Sequence, residues 1–274
     1  MGTGPEWASQ ESIKMARFRI DIEYRGGAYR GWQAQKNALG VANVMQGAVR
    51  KVFRDCGEMT GAGRTDAGVH ALQQVIHLEA LAPQAKRDLR VALNDALPLD
   101  IAVQRVSEAK ADFNARFDAR ERLYLYQILR RRSAFGPGSA WWIKDRLNLA
   151  DMKAAAKALE GDHDFSTFAD KDPEKPKDTR IKLSPIEIVE DGPMLVLRFR
   201  AQHFLWKMVR RLTGYMVECG RGRYKPSQTA GLFGQPSSVL APYTAPPDGL
   251  YLERVLYSGE SHDIAPKAVL SLPR

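Results

Sequence analysis

Apolar and polar residues alternate over residues 17–24, where Phe18, Ile20, Ile22 and Tyr24 share one face, and this period of two predicts a half-buried strand. The Gly26-Gly27 pair closes it with a turn. The spacing then lengthens: Val44, Ala48, Val49 and Val52 recur at helical intervals, with Asn43 placed to cap the helix. A glycine-framed loop follows at 61–71, and 74–78 resumes as strand. Leu89, Ala92, Leu93 and Ala96 mark a second helix that Pro98 stops, and 101–106 reads as another strand.

The second half echoes that order, with a strand over 123–129, a helix over 149–159, and a hairpin pairing 185–189 with 194–200 around Asp191-Gly192-Pro193. In a longer helix beginning near Leu205, an apolar stripe runs through Met208, Val209, Leu212 and Met216. Lys207 and Arg211 lie four apart on the opposite side, and Gly220 and Gly222 end the helix. After a proline-rich stretch at 241–248, residues 250–257 form the last predicted strand. The expected fold class is α/β of the α+β kind. It comprises a disordered tail at 1–15, an N-terminal α/β domain at 16–111 and a C-terminal α/β domain at 112–274, joined near 112–116. The charged stretch 171–182 is expected to be a mobile loop.

Charge adds a partner class. Lys plus Arg total 41 against 32 Asp plus Glu, a net charge of +9 that favours a polyanion. No apolar run is long enough for a bilayer helix, and the polar N-terminus lacks the basic and apolar regions of a secretory signal. Cys56 and Cys219 form no CxxC motif and read as plain thiols of a reducing cytoplasm.

Several catalytic kits are missing. There is no GxxxxGK[ST] phosphate loop and no GxSxG elbow. Gly61-Ala62-Gly63 opens like a dinucleotide fingerprint, but Asp66 stands where the third glycine belongs. The five histidines show no HExxH pattern and no cysteine at metal spacing. Neither a metal nor a small-molecule cofactor is expected.

What stands out is Asp66, a lone acid in Gly61-Ala62-Gly63-Arg64-Thr65-Asp66-Ala67-Gly68-Val69-His70-Ala71. A carboxylate with a reference pKa of about 3.9 is ionised at neutral pH and can attack an electrophilic carbon if a cation holds it. Arg64 and Arg210 are the candidate cations. The same residue types also fit an Asp that only hydrogen-bonds its own turn. By pattern alone, Tyr124 fits a core strand aromatic, Leu250 a core leucine, and Arg210 the solvated face of its helix.

This loop closely resembles the active-site loop of TruA-type tRNA pseudouridine synthases, and the resemblance continues in order along the chain. Tyr24-Arg25-Gly26 with Gly31-Trp32-Gln33 resembles the family's first strand and turn, and Asp112-Phe113-Asn114-Ala115-Arg116-Phe117 its interdomain segment. Arg122-Leu123-Tyr124-Leu125-Tyr126 resembles its tyrosine-bearing strand, Asp164-Phe165-Ser166-Thr167-Phe168 a family loop, and Met208-Val209-Arg210 its arginine-bearing helix. Residues 245–252 resemble the closing motif. Trp206 and the 171–182 loop depart from the pattern.

The resemblance implies a pseudouridine synthase fold, two mixed or antiparallel-sheet domains flanking a central active-site cleft. It also implies cofactor-free isomerisation of uridine in the anticodon arm of tRNA by a homodimer. Asp66 would be the nucleophile and Arg210 its ion-pair partner, while Tyr124 would stack on the uracil and help remove its carbon-five proton. Arg64 would fill the space of the flipped nucleotide, with flipping costing a few kcal/mol. Thr65 and Leu250 would contact substrate, Leu250 as an apolar wall. Lys207 and Arg211, with Arg25, Arg30, Lys36 and Arg130 to Arg132, would track phosphates. Two other classes compete with this reading. A non-catalytic RNA-binding protein has no need of an acid that repels phosphate, and a nucleotide-dependent enzyme lacks its third glycine and phosphate-binding lysine.

Overall fold

The computed structural model describes residues 15–33, 38–53, 55–81, 88–170 and 178–272. Strand β1 (Met15–Tyr24) buries the alternating face expected of it, with Phe18, Ile20, Ile22 and Tyr24 all buried. It starts at Met15, which pairs with Leu81, so the expected tail gives up its last residue to the sheet; 1–14 lie outside the described residues. Helix α1 (Val41–Val52) begins three residues earlier than the position of Asn43 predicts. Gly40 is the N-cap, and Asn43, inside the first turn, reaches back with Oδ1 to accept from the Gly40 N–H at 3.0 Å.

After the short β2 (Thr60–Gly61) comes β3 (His70–Leu81), more than twice the predicted length. It is buried on both faces and carries buried His70, Gln73, Gln74 and His77, so the alternation that marks a half-exposed strand is absent there. Helix α2 (Leu89–Ala96) is capped by Asp88, whose carboxylate accepts from the Arg90 and Val91 N–H groups, and it stops short of Pro98 as expected. Strand β4 (Ile101–Ala109) completes the first half.

The second half runs β5 (Glu121–Leu129), β6 (Trp141–Trp142), α3 (Leu149–Leu159), β7 (Gly161–Asp164), β8 (Arg180–Leu183), β9 (Glu187–Asp191), β10 (Met194–Ala201), α4 (Met208–Gly220) and β11 (Leu250–Leu256). The expected 171–182 loop is partly strand: β8 pairs antiparallel with β7, and 171–177 lie outside the described residues. The β9–β10 hairpin turns at Gly192-Pro193 with Gly192 at φ +57°, within the predicted Asp191-Gly192-Pro193 turn, while β9 lies two residues later than the predicted 185–189 strand.

Both sheet-bearing halves merge edge to edge in the order β4-β1-β3-β11-β5-β10-β8-β7. The seam is the parallel pairing of β11 with β3, where Tyr251 sits opposite His70 and Leu252 opposite Ala71. On its other side β11 runs antiparallel to β5, with Leu252 opposite Tyr124. Ala71, Leu252 and Tyr124 are therefore in lateral register. The loop ending at His70 must lie beside the tyrosine strand, at the central cleft between the halves. One face of β5, β10 and β11 packs Tyr124, Tyr126, Leu197, Phe199 and Leu252 into the main core. The opposite face, with Leu125, Leu129, Met194, Val196 and Tyr251, is covered by Ala268, Leu270 and Leu272. Among the described residues no helix is long and apolar enough to cross a membrane.

Candidate active site

The 61–69 loop is held by the turn that follows β1. Gly31 has φ +92°, and a Cβ there would lie 2.6 Å from the Thr65 carbonyl oxygen, so only glycine lets the Trp32 N–H reach that carbonyl at 3.0 Å. Beneath the loop, the Tyr24 hydroxyl meets Thr65 Oγ1 at 2.8 Å and Gln74 Nε2 donates to the Gly63 carbonyl at 2.7 Å. His70 closes the far end. Its Nδ1 accepts from the Gly26 N–H at 3.0 Å, and its Nε2 must be the protonated nitrogen because it faces the Asp248 carbonyl at 3.2 Å. Burial pushes the His70 pKa below its ordinary value, which agrees with a neutral ring whose two nitrogens are both used.

The acid presented by this frame meets a cation from the other half. Arg210 Nη1 lies 3.1 Å from Asp66 Oδ2, and both side chains are largely buried, at 14% and 19% exposure. The arginine is itself aimed, because its Nε donates to the Ala245 carbonyl at 2.8 Å while the Ala245 N–H donates to the Arg210 carbonyl at 3.1 Å. The proline-rich stretch that supplies Ala245 crosses α4 so closely that a Cβ on Gly214 would sit 1.6 Å from the Tyr243 carbonyl oxygen. Tyr126 fixes the next residue by donating to the Pro246 carbonyl at 2.8 Å.

Tyr124 lies beside this pair, almost fully buried, edge-on to Phe204 with ring centroids 5.1 Å apart. Burial first, and then the Asp66 carboxylate, push its phenol well above a tyrosine's ordinary pKa, so it stays protonated at neutral pH. Leu250 opens β11 opposite Tyr126 and is buried, an apolar floor next to the tyrosine strand. An acid, the arginine ion-paired with it and an aromatic ring thus converge at the cleft. That combination suits covalent chemistry on a planar base.

A tRNA pseudouridine synthase family model matches residues 22–118 and 155–258. The chain belongs to the TruA-type tRNA pseudouridine synthase family. It is similar to tRNA pseudouridine synthase A of Nitrobacter winogradskyi, 38% identical over 253 residues that cover 89% of this chain and 97% of the relative. The Nitrosomonas europaea protein of that name is 40% identical, covering 87% of this chain and 88% of its own. The one from Geobacter sulfurreducens is 37% identical, covering 89% of this chain and all (100%) of its own.

Within this synthase frame the remaining predicted site residues part company. Arg64 is exposed, two residues before Asp66. Thr65 is buried and its hydroxyl is spent on Tyr24, so it orients the loop instead of facing the cleft. Lys207 is the one non-glycine among the described residues with positive φ, at 61°, and its Nζ donates to Asp170 Oδ2 at 2.5 Å. Arg211 corrects the expectation that it tracks phosphates. It is only 2% exposed, ion-paired with Asp170 and donating to the Ala169 carbonyl at 2.6 Å, so it cannot track phosphates in this conformation.

The reason is that α4 is enclosed by segments far away in sequence, and all its residues except Arg210 are buried. Burial alone would raise the Asp170 carboxyl, but the Lys207 hydrogen bond and the two cationic charges outweigh it and hold the group below the usual carboxylate range. Arg130 is engaged by Glu190, Arg25, Arg30 and Arg132 are exposed, and Lys36 lies outside the described residues. Sequence reasoning missed Gln74, Tyr126 and His70 as supports of the site. Their only signal is that polar residues interrupt otherwise apolar strands.

Proposed function

We propose that this tRNA pseudouridine synthase isomerises uridine in the anticodon arm with Asp66 as the attacking carboxylate. The observation that carries the reading is the 3.1 Å contact between Arg210 and Asp66, which keeps an anion aimed into the cleft between the halves. In the net reaction the bond from the ribose C1′ to N1 breaks, the ring turns, and C1′ bonds to C5. The C5 proton leaves and N1 gains one, so no redox equivalent is consumed. Tyr124 supplies a stacking surface for the uracil. Being held protonated, its oxygen accepts the C5 proton only as it passes its own on. Arg64 enters the stack left by the flipped nucleotide, where a planar guanidinium faces bases and phosphates together. A homodimer and a cytoplasmic setting belong to the same reading, supported by the family resemblance and by the free thiols Cys56 and Cys219.

The test is tritium release from tRNA labelled at uridine C5. Asp66→Asn is expected to abolish release while tRNA binding persists, and full activity in that variant would remove Asp66 from the mechanism.

A further inference from the structure

Arg122 is the second residue of the tyrosine strand and lies two residues before Tyr124, so the two side chains rise from the same face of β5. Its guanidinium makes four hydrogen bonds, all to backbone carbonyls: Nη1 to Ala119 at 3.1 Å and Gln202 at 2.8 Å, Nη2 to Ala62 at 2.8 Å and Arg116 at 2.7 Å. Among the described residues no carboxylate ion-pairs with it. Burial lowers its pKa, yet an arginine keeps its charge at any physiological pH.

A desolvated cation is costly, and a fold that places one among carbonyls alone gains something other than an ion pair. The four acceptors belong to three separate stretches, two of them far from Arg122 in sequence. Ala62 is in the loop of the first half, two residues from Arg64 and four from Asp66. Arg116 and Ala119 are in the segment joining the halves, and Gln202 follows β10 on the way to α4. The joining segment is itself rigid, since Ala115 donates its N–H to His77 Nδ1 at 3.0 Å and Tyr257 donates to the Ala115 carbonyl at 2.7 Å.

We infer that Arg122 is a positioning residue, which locks the Asp66 loop to the joining segment and to the approach to α4 and so fixes the separation at which Asp66 meets Arg210 and Tyr124. A planar fork is needed, because its donors diverge in one plane toward acceptors on different segments, whereas a lysine ammonium is a point charge on a shorter stem. The position beside Tyr124 also sets a positive charge near the phenol, drawing its pKa down against burial. The inference rests on the proposed role of Asp66, and its test separates the two.

Arg122→Lys and Arg122→Gln are compared with the unaltered enzyme by single-turnover tritium release, tRNA affinity and amide hydrogen exchange. The expected result is a loss of turnover of about 30-fold or more in both variants, with tRNA affinity within about threefold. Exchange is expected to quicken in 62–66 and 116–119 while the helix amides of α3 and α4 stay protected. Turnover within about threefold of the unaltered enzyme would overturn the inference. So would a loss accompanied by uniformly faster exchange and a matching fall in melting temperature, the signature of a merely structural residue. If Asp66→Asn keeps full tritium release, the Asp66 reading fails, and the exchange pattern still decides whether Arg122 fixes the loop.

Discussion

Replacing Arg210 with methionine removes the cation while keeping an unbranched stem of similar bulk. Two contacts disappear, the 3.1 Å bond to Asp66 and the 2.8 Å bond to the Ala245 carbonyl. At an effective dielectric of about 20, unit charges at this separation attract by about 5 kcal/mol, but both side chains keep some solvent contact and pay desolvation. A charge-assisted hydrogen bond in such a setting is worth about 1.5–3 kcal/mol. If that energy is used to hold Asp66 in line with the base, the turnover rate falls by about 10- to 150-fold.

Two readouts sort this from a role in binding. Single-turnover tritium release at saturating enzyme reports the chemical step. The slope of log affinity against log salt reports phosphate contacts, and an arginine engaged with Asp66 leaves that slope unchanged, whereas a phosphate ligand would reduce it by about one. Arg210→Lys is expected to recover only part of the rate, because one ammonium replaces two diverging arms of a fork. Methionine at 210 turning over at the unaltered rate, or a lowered salt slope with an intact rate, would refute the assignment.

Two further outcomes follow from the same geometry. Gly214→Ala places a Cβ 1.6 Å from the Tyr243 carbonyl, a backbone atom that cannot swing aside. Denaturant unfolding should register a loss of about 2 kcal/mol or more, and tritium release should fall as Ala245 is pushed from Arg210; an unchanged midpoint and rate would refute the close crossing. His70 and His77 are both held below their ordinary pKa by burial. Below a reference value of about 6.5 the unfolded chain therefore binds more protons, so their contribution to stability is complete above that pH and lost as pH falls below it. Melting temperatures taken from pH 8 to pH 5 should decline less in His70→Asn and His77→Asn than in the unaltered protein, and an equal decline would contradict the assignment.

Legibility followed burial. Strand β1 was readable because its apolar face alternates, whereas β3 was readable only in its middle, since burial on both faces removes the pattern and its opening residues include the polar His70 and Gln73. The stripe on α4 identified the helix but not the fate of the opposite side. Helical spacing says which residues share a face and nothing about what covers it, so Arg211, expected to track phosphates, is enclosed by the 167–170 stretch. Asn43 was readable as a helix-start residue, and the choice between N-cap and first turn depended on Gly40.

The sequence by itself determined most of the helices and strands and, through the run from Gly61 to Ala71, the resemblance to the family. Those are local properties, carried by residue types at fixed spacing. Only the tertiary structure decided that Arg210, 144 residues from Asp66, turns toward it and not toward water. That outcome depends on the parallel seam between β3 and β11 and on Ala245 crossing α4 at Gly214, contacts between segments that no local pattern relates. Whether a charged side chain becomes a catalytic partner, a buried brace such as Arg211 or a surface cation is set by the dielectric and the acceptors that distant segments bring to it.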